Sequence, residues 1–454
     1  MNEIVNSINN VIWSPALIYL CLGAGLFYSI LTRFAQVRHF KEMWKLMLNN
    51  NESEKGISSF QALAVSLSGR VGVGNIAGVA AAIGFGGPGA VFWMWVVAFL
   101  GASTAYAEST LGQIYKVEEN GQYRGGPAYY FERCLGWRPL GVLFAISAII
   151  GCGIFLPGVQ ANAVGNAVTQ IFGDGNMVVT SFGEVGTYKL IALAVILITL
   201  AFIIFGGIKR IAHFTQIVVP FMALGYIVMA LIVVFLNLDR LPGIFALILN
   251  DAFTAQAGFG AAIGWGVKRG IYSNEAGQGT GPHAAAAAEV DHPAQQGLVQ
   301  AFSVYVDTLL VCTATALMIL ITQQYNVVGT LTDGSFIVQN VPAATEIGSA
   351  AFTQLALLSV FGNFGQVFVG LALFFFAFTT ILAYYYITET NVAYLNRVFN
   401  NKLPSLLFKL LLMFMVAYGT VNSAGYIWTI GDIGVGLMAW INVLGILLIF
   451  FMHK

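Results

Sequence analysis

Gly72-Val73-Gly74-Asn75-Ile76-Ala77-Gly78 stands in the middle of a long apolar run, and Ala255-Gln256-Ala257-Gly258-Phe259-Gly260-Ala261 interrupts a second one. Glycine tolerates unwound backbone. At bilayer depth such backbone persists only where protein, water, an ion or a solute satisfies its freed N–H and C=O groups. Two broken apolar segments in corresponding halves of a chain are the sequence mark of a transporter's central site.

The surroundings make bilayer depth the right frame. Of 454 residues, 58% are hydrophobic and 9% charged, against about 25% charged in an average soluble domain. A hydrocarbon core of about 30 Å takes about 20 apolar residues per helix, and about eleven stretches qualify. They lie near 14–36, 60–85, 89–113, 140–171, 187–207, 214–236, 242–267, 297–322, 364–390, 404–421 and 427–452. The chain therefore reads as an all-α polytopic membrane protein.

Basic residues orient it, because Lys and Arg are retained on the cytoplasmic side. With the N-terminus outside and the C-terminus inside, all 20 except Lys189 and Arg240 fall cytoplasmic, Lys268 and Arg269 among them. The stretch from about 323 to 363 has no Lys or Arg and reads as an external loop. Met1-Asn2-Glu3-Ile4 lacks the basic n-region of a signal peptide, so the first helix is expected to stay in the membrane. Cys21, Cys152 and Cys312 lie within spans and Cys134 in a cytoplasmic loop, where they read as small apolar fillers.

Three segments follow: 1–58, an N-terminal helix and cytoplasmic loop; 59–240, five spans; and 241–454, five more, all in one transporter domain. Five is odd, so the second set enters the membrane inverted relative to the first. The connection from Gly270 to Gln296 is expected to hold a short helix at Ala284 to Ala288. Asp291-His292-Pro293 should start the next span, since Pro suits a first helical turn.

Each polar group at depth has a functional and a structural reading. The half-helix that begins near Asn75 would aim N–H groups and positive dipole at a carboxylate; the alternative is a small-residue packing seam. Gln256, Gly258 and Phe259 repeat that choice in the second half. Asp307, near the middle of the eighth span, reads as a sodium ligand, a proton carrier or a hydrogen-bond anchor. Thr379 and Thr380, with carbonyls such as those of Ser68 and Val71, offer the neutral oxygens a hard cation prefers, although a Thr in a membrane helix commonly bonds its own i−4 carbonyl. Arg70 and Glu108 read as a gate pairing with each other or as an ordinary ion pair, and Asp432 as a hydrated residue at an outer helix start. The five His residues lack metal-ligand spacing and no phosphate-binding loop occurs. The chain is thus read as no enzyme, without a cofactor and driven by a gradient.

Gly86-Gly87-Pro88-Gly89-Ala90-Val91-Phe92-Trp93-Met94-Trp95, continuing to Gly101, resembles the signature of the alanine or glycine:cation symporter family. Arg70 to Gly78, Ala107-Glu108-Ser109-Thr110, Lys268 to Gly277, His292-Pro293 and Gln296 to Gln300 resemble it too. The likeness runs from about residue 14 to 452. It implies a leucine-transporter-like fold, one helix followed by two inverted five-helix repeats, in the cell membrane. It implies symport of small neutral amino acids, alanine and glycine, with Na⁺, or alternatively H⁺. By resemblance, substrate would meet Gly72, Val73, Gly74, Asn75, Cys152, Phe155, Thr380 and Tyr384, and sodium would meet Ser68, Val71, Thr379 and Thr380, with Asp307 near a second ion. Val73, Tyr384 and Gln278 stand where many family members have Thr, Trp and Met, which leaves the substrate open within its class. A proton-coupled permease of the same fold and a small-solute channel are the rival readings.

Overall fold

Residues 2–48, 56–119, 121–181, 183–254, 259–329, 335–400 and 402–452 are described in a computed structural model. Helices α1 Glu3–Leu31, α2 Ser59–Arg70, α3 Gly74–Gly86, α4 Ala90–Ile114, α5 Arg138–Phe172, α6 Thr187–Ile204 and α7 Gly207–Phe235 make the first part. The second part holds α8 Leu241–Thr254, α9 Phe259–Asn274, α10 Gly281–Ala287, α11 Pro293–Ile321, α12 Ala351–Phe361, α13 Asn363–Phe399, α14 Ser405–Val421 and α15 Ala424–Met452.

Eight helices among the described residues are long and apolar enough to cross a membrane, or nine when the bent pair α2 and α3 counts as one span. The other two expected spans coincide with the α8 and α9 pair and with α14, which at 17 residues is shorter. Phe202 on α6 and Phe221 and Phe235 on α7 are more than three-quarters exposed. Side chains of that kind suit contact with lipid, where the backbone must be satisfied within the helix.

Local chemistry sets the starts. Ser58 accepts from the Gln61 N–H at 3.1 Å while the Gln61 side chain accepts from the Ser58 N–H, a reciprocal cap that opens α2. Pro293 opens α11 as expected, with the His292 ring accepting from the Ala294 N–H. The expected helix in the connection is α10. Two stretches read as loops carry more structure: the polar segment after the first span contains the helix Phe40–Leu48, and the external stretch holds a hairpin, Asn326–Val328 with Phe336–Gln339, followed by α12. Short elements like these lack the long apolar runs by which spans are recognised.

The first break is a 50° bend between α2 and α3. The second expected break falls on residues 255–258, so Gln256 and Gly258 lie outside the described residues. Phe259 begins α9. Three π-type turns widen the helices at Gly74–Gly78, Ile149–Phe155 and Tyr305–Cys312, a distortion that concentrates at functional sites.

The glycine-framed signature explains α4. This helix packs on α1, α9, α10 and α11. A Cβ on Gly266 would stand 2.4 Å from the Ala90 carbonyl, and one on Gly270 the same distance from Val97. The Trp93 indole N–H donates to the Ala252 carbonyl at 3.2 Å and that of Trp95 to Thr313 Oγ1 at 2.8 Å. On the other flank, α5 and α14 touch backbone to backbone: a Cβ on Gly419 would lie 2.2 Å from Gly158 Cα. Overpacking of this kind costs ~1–3 kcal/mol or more. Gly419→Leu is expected to lower the thermal midpoint of detergent-purified protein by about 1–3 °C; an unchanged midpoint would mean that the two helices part freely.

Candidate functional site

Where α2 ends, its backbone becomes a short unwound link. The Gly72 N–H donates to Asn75 Oδ1 at 2.8 Å, and the Val73 N–H donates to Gln160 Oε1, on α5, at 3.1 Å. Both freed donors are thus satisfied by side-chain amides. Glycine is required here by close approach: a Cβ on Gly72 would lie 2.5 Å from Thr380 Oγ1, and one on Gly74 3.1 Å from Ser273 Cα and the Tyr272 ring.

Thr380 Oγ1 donates toward the Ser68 carbonyl at 2.7 Å and the Phe376 carbonyl at 2.8 Å. Its one proton serves one of them at a time, so an oxygen lone pair and two carbonyl dipoles share a small, fully buried space. These are hard, neutral oxygens of the kind that coordinate a group I cation. Thr379 is turned elsewhere: its hydroxyl bonds the Phe375 carbonyl at 2.9 Å and lies 3.8 Å from the Met222 sulfur on α7. Val71 caps α2, its N–H donating to the Leu67 carbonyl.

Asp307 is fully buried. Its Oδ1 accepts from Asn75 Nδ2 at 2.6 Å and from Ser273 Oγ at 3.0 Å, and its Oδ2 from Thr308 Oγ1 at 2.7 Å. Asn75 Nδ2 and Ser273 Oγ also lie 3.3 and 3.2 Å from Cys312 Sγ. This constellation ties α3, α9 and α11 together. Asn75, expected to face a solute, spends its oxygen on Gly72 and its amide on Asp307. Cys312, read as an apolar filler, belongs to the polar cluster.

Cys152 and Tyr384 are buried in one cluster with Tyr272, and Phe155 is half-buried against it. Cys152 Sγ lies 3.9 Å from the Met438 sulfur, and Gly153 packs on Thr388, one turn beyond Tyr384. Of the residues expected at the site, Gly72, Val73, Asn75, Ser68, Thr380 and Asp307 therefore meet at the first break, whereas Cys152, Phe155 and Tyr384 belong to the neighbouring apolar cluster, which Phe155 joins against Gly434 on α15. Of Phe259 only the helical backbone is described.

Arg70 and Glu108, expected as a pair, do not meet. Arg70 donates through Nη1 to the Gln300 carbonyl at 3.0 Å and to Ser303 Oγ, leaving Nη2 and Nε without partners. Glu108 accepts from the Gly277 and Gly279 N–H groups at 3.2 and 3.1 Å and from Asn442 Nδ2 at 2.6 Å. The turn that wraps it has Glu275, Gly277 and Gly279 at φ of 57°, 82° and 78°, an anion-holding nest. Glu275, to which no role was assigned, is buried too. Its Oε2 accepts from Thr280 Oγ1 at 2.8 Å and its Oε1 has no partner. In the connecting helix α10, His283 is buried against Asn391, and burial pushes its pKa down to about 4, so the ring is neutral near pH 7.

Asp432 is the other correction. It is 2% exposed rather than hydrated, and its Oδ2 accepts from Lys268 Nζ and Arg269 Nη2, each at 2.6 Å. The expected span ended at residue 267, which left the two cations in a cytoplasmic loop. Instead α9 runs on to Asn274 and turns both toward α15. Gln160, Ser273 and Tyr272 were likewise missed; a lone amide within the apolar α5 was the available signal for Gln160.

Removing the Asp307 carboxylate would take the charged acceptor from three donors, leaving Asn75 and Ser273 only the weak Cys312 sulfur and a long carbonyl contact, and a buried donor left unsatisfied costs ~1–3 kcal/mol. Asp307→Ala is expected to lower the thermal midpoint further than Asp307→Asn, which keeps one acceptor. Equal midpoints would show that the carboxylate does not hold the three helices.

Comparison with known proteins adds identity to this geometry. Residues 1–453 match the family described as the sodium:alanine symporter family. YrbD of Bacillus subtilis (strain 168) is 55% identical over 453 residues, covering 99% of this chain and 90% of that protein. The "Sodium/proton-dependent alanine carrier protein" of Bacillus sp. (strain PS3) is 47% identical over 414 residues, 90% of this chain and 89% of its own length. Among solved structures, MhsT in complex with L-phenylalanine superposes with a TM-score of 0.58 at 15% identity, over 89% of this chain and 100% of that one. At that identity the likeness establishes the leucine-transporter-like fold alone.

Proposed function

The chain belongs to the sodium:alanine symporter family, and on that premise we propose that it carries alanine, and glycine as the smaller analogue, into the cell together with Na⁺. It is a multi-pass membrane transporter and no enzyme. The observation that carries the coupling is the meeting of Thr380 Oγ1 with the Ser68 carbonyl, 2.7 Å apart at the foot of the first break. In this reading Na⁺ displaces the shared proton geometry: the hydroxyl turns its hydrogen to Phe376 and presents its lone pairs, with the carbonyls of Ser68 and Val71, to the ion. Thr379 stands beside this group and takes a lesser part.

The substrate is assigned to the break itself, between Gly72 to Asn75 and the flank formed by Cys152, Phe155 and Tyr384; Phe259, expected to join it, begins α9 at the end that meets Gly86, whereas Ser273 at the opposite end meets Gly74. Asp307 supplies a fixed negative charge for a cation, either a second Na⁺ or H⁺, and Asn75 couples it to the backbone that holds the substrate. Arg70 and Glu108 brace the inward side separately, the one onto α11 and the other onto the turn after α9. A cation at Thr380 stiffens the α2 end. Since that end is also a substrate wall, each ligand raises the affinity of the other equally.

The same reading takes 59–240 and 241–454 as the inverted repeats that rock against each other, with 1–58 as an added helix and loop. It places the chain in the cell membrane with the N-terminus outside. Lys268 and Arg269 no longer count toward that orientation, but the remaining basic residues still favour it.

The decisive measurement is labelled alanine uptake into proteoliposomes under an inward Na⁺ gradient, with K⁺ and a pH gradient as alternatives. Accumulation with Na⁺ alone is expected; accumulation driven by the pH gradient alone would transfer coupling to H⁺. Thr380→Ala is expected to raise the Na⁺ concentration for half-maximal uptake at least about tenfold, the loss of about 1.4 kcal/mol of ion binding. Thr379→Ala should change it less than about threefold. Equal effects would put both hydroxyls on the ion.

A further inference from the structure

Where α1 ends, the chain turns sharply. Arg33 and Phe34 stand at φ of 53° and 54°, a left-handed region that residues with side chains seldom occupy, and the Phe34 N–H donates to the Ser29 carbonyl. The turn sets up two short helices, Ala35–Arg38 and Phe40–Leu48, joined at His39. Gln36 ties the first to its neighbours: its side chain donates to Ser29 Oγ at 2.7 Å, and its carbonyl accepts from the Tyr305 hydroxyl at 3.3 Å. Met43 and Leu46 of the second are buried in one cluster with Leu63 of α2 and with Leu298 and Phe302 of α11.

Two further faces of this segment stay open among the described residues. Val37, Phe40 and Trp44 follow one another at spacings of three and four, so they share a side, and they are 50%, 48% and 52% exposed. Phe40 and Trp44 lean on Phe302, with ring centroids 5.8 and 5.9 Å away. One position further round, Arg38, Lys41 and Lys45 repeat the spacing and are exposed. With Arg33 they set four cations against the single carboxylate of Glu42 between residues 33 and 45. None of the four enters an ion pair among the described residues.

An aromatic and apolar stripe beside a basic one is the pattern of a helix at the bilayer interface, with its apolar side against acyl chains and its cations among headgroups. The apolar stripe also continues a surface that already faces lipid, since Ile30 and Leu31 in the last turn of α1 are exposed. A zwitterionic headgroup carries no net charge to meet the cations, whereas an anionic one does. We propose that the segment from Arg33 to Lys45 is a binding surface for anionic phospholipid, with the headgroup held by Arg38, Lys41 and Lys45 and an acyl chain lying against Val37, Phe40 and Trp44. In the orientation proposed above, this lipid belongs to the cytoplasmic leaflet. Because Met43 and Leu46 bed on α2, a lipid held there steadies the root of the helix whose far end is the first break.

The full chain in phosphatidylcholine nanodiscs is the material for the test. A lipid brominated on its acyl chains, which quenches any indole it touches, is titrated in as phosphatidylglycerol in one series and as phosphatidylcholine in the other. The emission lost by the unaltered protein, less that lost by Trp44→Phe, isolates Trp44 from the other tryptophans. Half of that difference is expected to be quenched at a mole fraction of phosphatidylglycerol at least about threefold lower than of phosphatidylcholine. In the triple variant Arg38→Gln, Lys41→Gln, Lys45→Gln the two curves should coincide. Raising KCl to about 0.5 M should shrink the preference in the unaltered protein, because exposed charges are screened; this check needs no variant. Equal quenching by the two lipids overturns the proposal, as does a preference that survives the triple variant or the salt. No quenching of Trp44 by either lipid also overturns it, and would place the stripe in water or under a protein partner.

Discussion

Everything near the centre of this molecule follows from a shortage of hydrogen-bond partners. Breaking a helix in an apolar medium releases backbone groups that lipid cannot satisfy, and the chain answers with side-chain amides: Asn75 for Gly72, Gln160 for Val73. Those amides must themselves be held, and Asn75 is held by Asp307, which in turn gathers Ser273 and Thr308. The break is therefore the surface expression of a network spanning α3, α5, α9 and α11. Under the function proposed above, a cation at its foot would act on that network as a whole.

The buried charges obey the same accounting. Glu108 is neutralised by three donors rather than by a cation. Arg70 leans on a carbonyl and a hydroxyl, and Lys268 and Arg269 share one carboxylate. Complete satisfaction fixes a structure, while partial satisfaction leaves it able to exchange partners. Asp307 and Glu108 are of the first kind; Arg70, Glu275, Arg269 and Asp432 are of the second, with Glu275 beside Gly69 before the break and Arg269 beside Gly78 after it.

Much of this was legible in the residues. Long apolar runs placed the spans, because length and hydropathy suffice when the solvent is lipid, and the glycines of the first break located its bend. Thr380, Asn75 and Asp307 were singled out because a polar group at depth is expensive and so has a reason, and Ser68 for its carbonyl beside the break. Partners were harder. Nothing in the periodicity of α9 tells that Lys268 and Arg269 reach Asp432, more than 160 positions away, and the pairing of Arg70 with Glu108 was inferred from sign and depth where the fold gave each a different neighbour. Gln160 and Ser273 were passed over because a single polar residue in an apolar helix has no pattern until the facing helix is known. The loop after Gly329 hid α12 for the opposite reason, being too short and too mixed to register as a span.

The two indoles of Trp93 and Trp95 fasten α4 on both edges, one to α8 through the Ala252 carbonyl and one to α11 through Thr313, while Gly266 and Gly270 of α9 lie flush on the α4 face that carries Ala90, Met94 and Val97. A rod pinned at two edges and bedded along a third cannot tilt alone. Any swing of α8, α9 or α11 must carry α4 with it or tear out an indole, so these four helices form one lever. The contact of Gly158 with Gly419 is fastened in the same way, since Asn162 Nδ2 donates to the Gly419 and Asn422 carbonyls at 2.7 and 2.8 Å, so α5 and α14 slide past each other only when that amide lets go.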